Sequence, residues 1–286
     1  MREPVIELDS IWKVFGSRAA EAIAAARDGV DKHRILEQFD SVIGVADVSL
    51  RVERGEIFCV MGLSGSGKST LVRHVNRLIE PSAGQIRVLG TDVMSLGERE
   101  LRDLRARRIG MVFQNVALLP HRSVRDNVAY PLEIRNEPKA MRWRVSTEKL
   151  ALVGLSGYED RYPGELSGGM QQRVGLARAL AADAEILLMD EPFSALDPLI
   201  RRELQDLFLD LTRRLGKTAL FITHDLDEAL RLGSRIAIMK DGRIAQTGTA
   251  RDILDHPADA FVRAFVSLRA ETRADGVPAL PGATSA

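Results

Sequence analysis

The stretch Gly62-Leu63-Ser64-Gly65-Ser66-Gly67-Lys68-Ser69-Thr70 lies between two segments of different texture. Ahead of it, Ile57-Phe58-Cys59-Val60-Met61 is apolar on both alternating sets, as in a strand buried on both faces. Behind it, Leu71-Val72-Arg73-His74-Val75-Asn76-Arg77-Leu78 has helical spacing. A glycine-rich turn between strand and helix is the context a phosphate-binding loop requires. Glycines let the backbone turn with its N–H groups facing inward, and the helix start adds its positive dipole end. In such a loop Lys68 reaches the β- and γ-phosphates of a nucleotide, and Ser69 ligates a magnesium ion through its hydroxyl.

At 286 residues the chain can form one large domain or two small ones. Apolar content of 45% and charged content of 28% are ordinary for a globular protein. Forty basic residues balance forty acidic ones, so no overall field holds the chain to nucleic acid, and no nucleic-acid partner is expected. No apolar run approaches the roughly 20 residues of a spanning helix, and Met1-Arg2-Glu3-Pro4 begins no signal peptide. The expectation is a cytoplasmic protein that meets a membrane through a partner. The single cysteine excludes an internal disulfide and a multi-thiolate zinc site, and Cys59 reads as a small core residue. His33, His74, His121 and His256 show no metal-ligand spacing and are expected at the surface or in structural roles.

Val5-Ile6-Glu7-Leu8 alternates like a strand, and Trp12 to Gly16 is expected to turn out of it. Phe15 can offer its face to a purine ring or close the first hairpin as a core aromatic. Residues 17–40 read as two short helices broken at Asp28-Gly29, and Val48 to Val52 resumes the strand pattern. Ile86 to Leu89 and Ile109 to Phe113 are further strands, the second ending on Gln114, with a charged helix from Glu98 to Arg108 between them. From 115 to about 182 the texture is helical, with prolines at 120, 131, 138 and 163 breaking the run. Ile186 to Met189 is a buried strand delivering Asp190 and Glu191, and Pro192 stops it there. Asp197-Pro198 opens a helix marked by Leu204, Leu207, Phe208, Leu211 and Leu215. Ala219 to Ile222 is a strand ending at Thr223-His224, and Asp241-Gly242 joins a hairpin. One last amphipathic helix is expected over about 253–266, then a disordered tail over 271–286 rich in Ala, Gly, Pro and Thr.

Four apolar strands thus end in the phosphate loop, Gln114, Asp190-Glu191 and His224, and together these read as one site. Asp190 would hold magnesium, and Glu191 would orient or deprotonate an attacking water. At Leu166-Ser167-Gly168-Gly169-Met170-Gln171-Gln172-Arg173 the chain resembles the ATP-binding subunits of ABC transporters, with Met170 where the family signature has glutamine. The resemblance covers residues 5–268. It implies an α/β fold of ABC ATPase type: a RecA-like P-loop NTPase core with an antiparallel β subdomain and an inserted helical subdomain over about 115–182. One ATP-binding domain would span residues 1–270. It further implies ATP and Mg²⁺, with Glu191, His224 and Lys68 catalytic, Phe15 stacking on adenine, Gly62 to Thr70 and Gln114 binding nucleotide, and Ser69, Gln114 and Asp190 on the metal. Two copies would pack head to tail, so that Leu166, Ser167, Gly168, Gly169 and Met170 meet ATP bound by the partner and Ser194, Ala195, Leu196 and Asp197 line the interface.

The helical insertion at 17–40, Asn76-Arg77-Leu78-Ile79-Glu80-Pro81 and Ser194-Ala195-Leu196-Asp197-Pro198-Leu199-Ile200-Arg201 look like the glycine betaine/proline, or quaternary amine, importer subfamily. Many of its members continue into paired CBS regulatory domains, for which this chain is expected to be too short. The resemblance implies membrane permease subunits as partners, contacted near Gln114 and Ala117 to Arg125, and a substrate-binding protein reached indirectly. Leu118 and Leu119 could serve that contact or belong to the core. Importers of other amino acids, and soluble non-transport ABC ATPases, are the alternatives.

Overall fold

The computed structural model describes residues 3–114 and 116–274. It begins with β1 (Pro4–Phe15), α1 (Ala19–Arg27), α2 (Lys32–Phe39) and β2 (Val42–Glu53). β1 and β2 pair antiparallel from Pro4↔Glu53 to Phe15↔Val42, so both helices form the connection at the closed end of one hairpin. Contrary to the expected turn, β1 runs on through Trp12 to Phe15. Ser10 adopts φ 51° at a register shift, after which Ile11 and Trp12 are buried side by side. Such a bulge erases the period-two signal while pairing continues. Ala22, Ile23, Ala26 and Ile35 of the two helices form a small core with Trp12, Val14, Ile43 and Ala46 of the hairpin.

β3 (Ile57–Gly62) leads through the glycine-rich loop into α3 (Lys68–Val75), and β4 (Ala83–Val88) and β5 (Thr91–Asp92) complete a sheet in the order β2-β1-β4-β5. α3 ends one turn earlier than its spacing suggests, because Arg77 turns left-handed at φ 53° and the Ile79 N–H returns to the Arg73 carbonyl. α4 (Glu98–Arg107) and β6 (Ile109–Phe113) follow, then α5 (Val124–Ile134), α6 (Lys139–Leu152) and α7 (Gly168–Ala181). Pro131 lies inside α5 and does not break it, since Val128, Ala129 and Leu132 around it are buried. Packing outweighs the lost hydrogen bond there. β7 (Ile186–Asp190), α8 (Pro198–Arg214), β8 (Thr218–Thr223), α9 (Leu226–Leu232), β9 (Arg235–Lys240) and β10 (Arg243–Gly248) come next, and strands β7 to β10 join β3 and β6 in the second sheet. Leu215, read as part of the apolar stripe of α8, is its C-cap. The expected last helix is two, α10 (Ala250–Asp255) and α11 (Ala260–Ala274), parted at His256-Pro257, where proline offers no N–H to continue. α11 extends past 270, into the stretch expected to be disordered; from 275 that stretch lies outside the described residues.

The second sheet runs β10-β9-β3-β8-β7-β6, parallel except for the β10 edge. Alternation divides its apolar runs between two cores. Cys59, Met61, Leu187, Met189, Ala219 and Phe221 face the helices on one side, while Phe58, Val60, Ile186, Leu188, Leu220 and Ile222 face the antiparallel sheet and α3. Each large side chain so buried contributes about 1.5–3 kcal/mol. The pairs Met61↔Thr223, Ile222↔Asp190 and Asp190↔Phe113 bring four strand ends to one edge. That edge is where open α/β sheets bind ligands.

Candidate functional site

A cleft of about 730 Å³ opens over this edge, lined by Phe15, the glycine-rich loop, Gln114, Glu191 and His224. Gly67 caps α3 at φ 99°, and a Cβ there would lie 2.3 Å from the Gly44 carbonyl oxygen. Only glycine lets this loop close against β2. Lys68 is almost wholly buried, and its ammonium donates to the Gly62 and Leu63 carbonyls at 2.9 and 3.0 Å, with Glu191 Oε1 3.9 Å away. Desolvation pulls the Lys68 pKa below the ordinary lysine value, against the opposing fields of Glu191 and Asp190. Ser66 and Asp190 lie buried beneath the cleft. Ser66 Oγ has no hydrogen-bond partner among the described residues.

Ser69 Oγ donates to Asp190 Oδ1 at 2.8 Å, and Arg73, one helical turn on, donates to Oδ2 at 3.2 Å. Among the described residues no cluster of three His, Cys, Asp or Glu forms a metal site. The all-oxygen set of Ser69, Asp190 and Gln114 instead suits a hard cation that shares its shell with water and phosphate, as Mg²⁺ does. Glu191 stands at φ 48°, its N–H bonded to the Ile222 carbonyl at 3.0 Å, and its Oε2 lies 2.8 Å from His224 Nδ1. A carboxylate held by a second group at the rim of an anion cradle is suited to accept a proton from water.

Phe15, one of the two readings left open by the sequence, is 44% exposed at the cleft wall, with Lys13 Nζ 5.1 Å from its ring centroid. Gln114 is tied to α7 through its carbonyl, which accepts from Gln172 Nε2 at 3.3 Å. Leu166, Ser167, Gly168, Gly169 and Met170 do not line the cleft. Ser167 is exposed and caps α7 by accepting the Met170 N–H at 3.3 Å, Gly168 is exposed, and Leu166 and Gly169 are buried. Ser194 Oγ donates to the Glu191 carbonyl at 3.1 Å, and Asp197 Oδ1 caps α8 by accepting the Ile200 N–H at 3.1 Å. Ala195 is exposed and Leu196 packs against the core. A separate apolar groove of about 460 Å³ is lined by Phe113, Ala117, Tyr130, Pro131 and Ile134. Ala117 is its contribution from the span 117–125, while Leu118 packs against the core.

Sequence reasoning missed Gly44 and Arg73. Gly44 comes to the site through strand pairing, which leaves no local signal. Arg73 carried one, since it stands four residues after Ser69 on the same helix face.

An anion cradle beside an acidic strand end, on a sheet buried from both sides, makes this a P-loop nucleotide-binding protein. Within that class the chain belongs to the ABC transporter family, whose sequence pattern matches residues 45–194. It is 53% identical to the glycine betaine/carnitine transport ATP-binding protein GbuA of Listeria monocytogenes, over 91% of this chain and 66% of that protein. It is 52% identical to the glycine betaine transport ATP-binding protein OpuAA of Bacillus subtilis, over 91% and 62%. The chain thus spans slightly less than two thirds of the length of these relatives. The trimethylamine N-oxide transport system ATP-binding protein TmoW of Ruegeria pomeroyi is 49% identical over 99% of this chain and 87% of its own. Among solved structures, the ATP-binding cassette MJ0796, a dimer in a post-hydrolysis state bound to ADP and Pi, matches with TM-score 0.72 and 30% identity over 86% of this chain and 99% of that one.

Proposed function

We propose that this chain binds and hydrolyses ATP with Mg²⁺, as half of a head-to-tail homodimer, and so drives an importer of a small zwitterionic or quaternary amine. The observation that carries the reading is the 2.8 Å contact of His224 with Glu191 at the rim of the phosphate loop. Inward-facing loop N–H groups and Lys68 would hold the triphosphate, Phe15 would stack on adenine, and Glu191 would take the proton of the attacking water. Mg²⁺, held by Ser69 and Asp190 with Gln114, would offset the charge developing between β- and γ-phosphate. Ser167, Gly168 and Gly169 start a helix away from their own chain's cleft, an arrangement suited to a γ-phosphate presented by a partner. Ser194, Ala195, Leu196 and Asp197 would then lie at the interface.

The apolar groove at Ala117 and Ile134 suits a short helix of a permease subunit. No helix among the described residues is long and apolar enough to cross a membrane, in keeping with peripheral attachment on the cytoplasmic side. A substrate-binding protein would meet the complex only through the permease. Glu191→Gln should retain ATP binding while turnover falls by about 10²–10⁴-fold, measured as phosphate release and nucleotide affinity. Unchanged turnover would refute the assignment of Glu191. Deleting the gene should abolish uptake of a labelled quaternary amine from a panel of betaine, choline, proline and trimethylamine N-oxide. Normal uptake of all four, with another solute lost, would refute the cargo class.

A further inference from the structure

Arg201 stands one turn into α8, behind the Asp197 cap, and helical side chains lean back toward the N-terminus. Its guanidinium therefore reaches over the loop that precedes the helix. One terminal nitrogen donates to the Leu196 carbonyl at 2.9 Å and lies 3.5 Å from that of Ser194. The other donates to Asp225 Oδ2 at 3.2 Å, on the loop that carries His224. Asp225 divides its carboxylate, since Oδ1 caps α9 by accepting the Glu228 N–H at 3.2 Å. Its own N–H donates to Thr223 Oγ1 at 2.9 Å, so His224 is bracketed by two fixed neighbours.

These contacts close a ring. Glu191 is joined through its carbonyl to Ser194, the Ser194–Leu196 loop to Arg201, Arg201 to Asp225, and His224, next in the chain to Asp225, returns to Glu191. We infer that Arg201 is a positioning residue for hydrolysis: by tying the loop after the acidic strand end to the histidine loop, it sets His224 against Glu191. Arg201 and Asp225 are each about three-quarters buried, which keeps their ion pair from being screened as a surface pair would be. The fork of the guanidinium spans carbonyl and carboxylate at once, a reach that lysine, with a single nitrogen, cannot copy.

The inference rests on the proposed hydrolysis, and the test separates the two. Wild-type turnover that collapses in Glu191→Gln establishes the hydrolytic reading on its own. Arg201→Ala should then lower kcat on the order of 10- to 100-fold with KM for ATP within about two-fold, and Arg201→Lys should recover part of the loss. Asp225→Asn keeps a good helix cap while removing the charge, so it should reproduce the kcat defect, and the double variant should be no worse than the more damaged single. Without nucleotide, the His224 ring resonances, assigned against His224→Gln, should shift in Arg201→Ala while those of His33, His121 and His256 hold. Unmoved His224 resonances, additive losses, or a defect in KM alone would overturn the role of Arg201. Should Arg201→Ala fail to fold, Asp225→Asn decides by the same two readouts.

Discussion

Glu228 sits behind the histidine loop, 4% exposed, with its Oε1 accepting from Gln205 Nε2 at 3.0 Å. Burial raises its pKa above the ordinary glutamate value, outweighing its hydrogen bonds from Thr223 and Gln205. The folded chain therefore holds this proton more tightly than the unfolded one. The resulting stability is complete below the unfolded pKa and is lost as pH rises through the higher, folded one. Glu228→Gln keeps the acceptor and removes the charge. Its Tm relative to wild type should rise as pH climbs above the ordinary glutamate range, measured by paired thermal melts. A relative Tm that falls instead would mean the buried carboxylate is charged and compensated.

At the scale of elements, the hairpin of β1 and β2 joins the helical excursion to the nucleotide cleft. Phe15 and Val42, the last pair of its register, both line the cleft, and Gly44 lies under the aromatic ring. A Cβ on Gly44 would come within 2.8 Å of Phe15 Cε2. Gly44→Ala should therefore displace the ring and weaken ATP binding by about 0.5–1.5 kcal/mol, the scale of an aromatic contact. kcat should hold, because stacking acts equally in ground and transition states. Nucleotide titration with steady-state kinetics checks both, and unchanged affinity would remove Phe15 from adenine binding. The parallel strands were legible in the sequence because burial on both faces leaves continuous apolar runs, and the loop because its glycines have a backbone reason. β1 beyond Leu8 was not, since a bulge at Ser10 breaks the alternation that announces a strand. Arg201 was hidden differently: its partner is chosen by the fold, 24 residues away, and no neighbour on its own helix points to it.

For the whole molecule, the separation of cleft and signature within one chain makes a prediction about pairs of chains. Ser167→Arg and Lys68→Ala homodimers should each be inactive, having two damaged sites. In a mixed dimer both lesions fall on one composite site and leave the other whole. Co-expressed, differently tagged chains should regain ATPase activity above either parent, with dimers purified through both tags before assay. Full activity of the Ser167→Arg homodimer would dissolve the head-to-tail arrangement. The proposed pairing of two chains can be followed directly because of Cys59. It is the chain's single cysteine, fully buried in β3, and burial pushes its thiol well above the ordinary range. A thiol that is neither ionised nor accessible reacts slowly with maleimides and spin labels. The wild-type sequence is therefore already a silent background for labelling, and one cysteine placed at exposed Leu199 would report inter-chain distances with no native residue first removed.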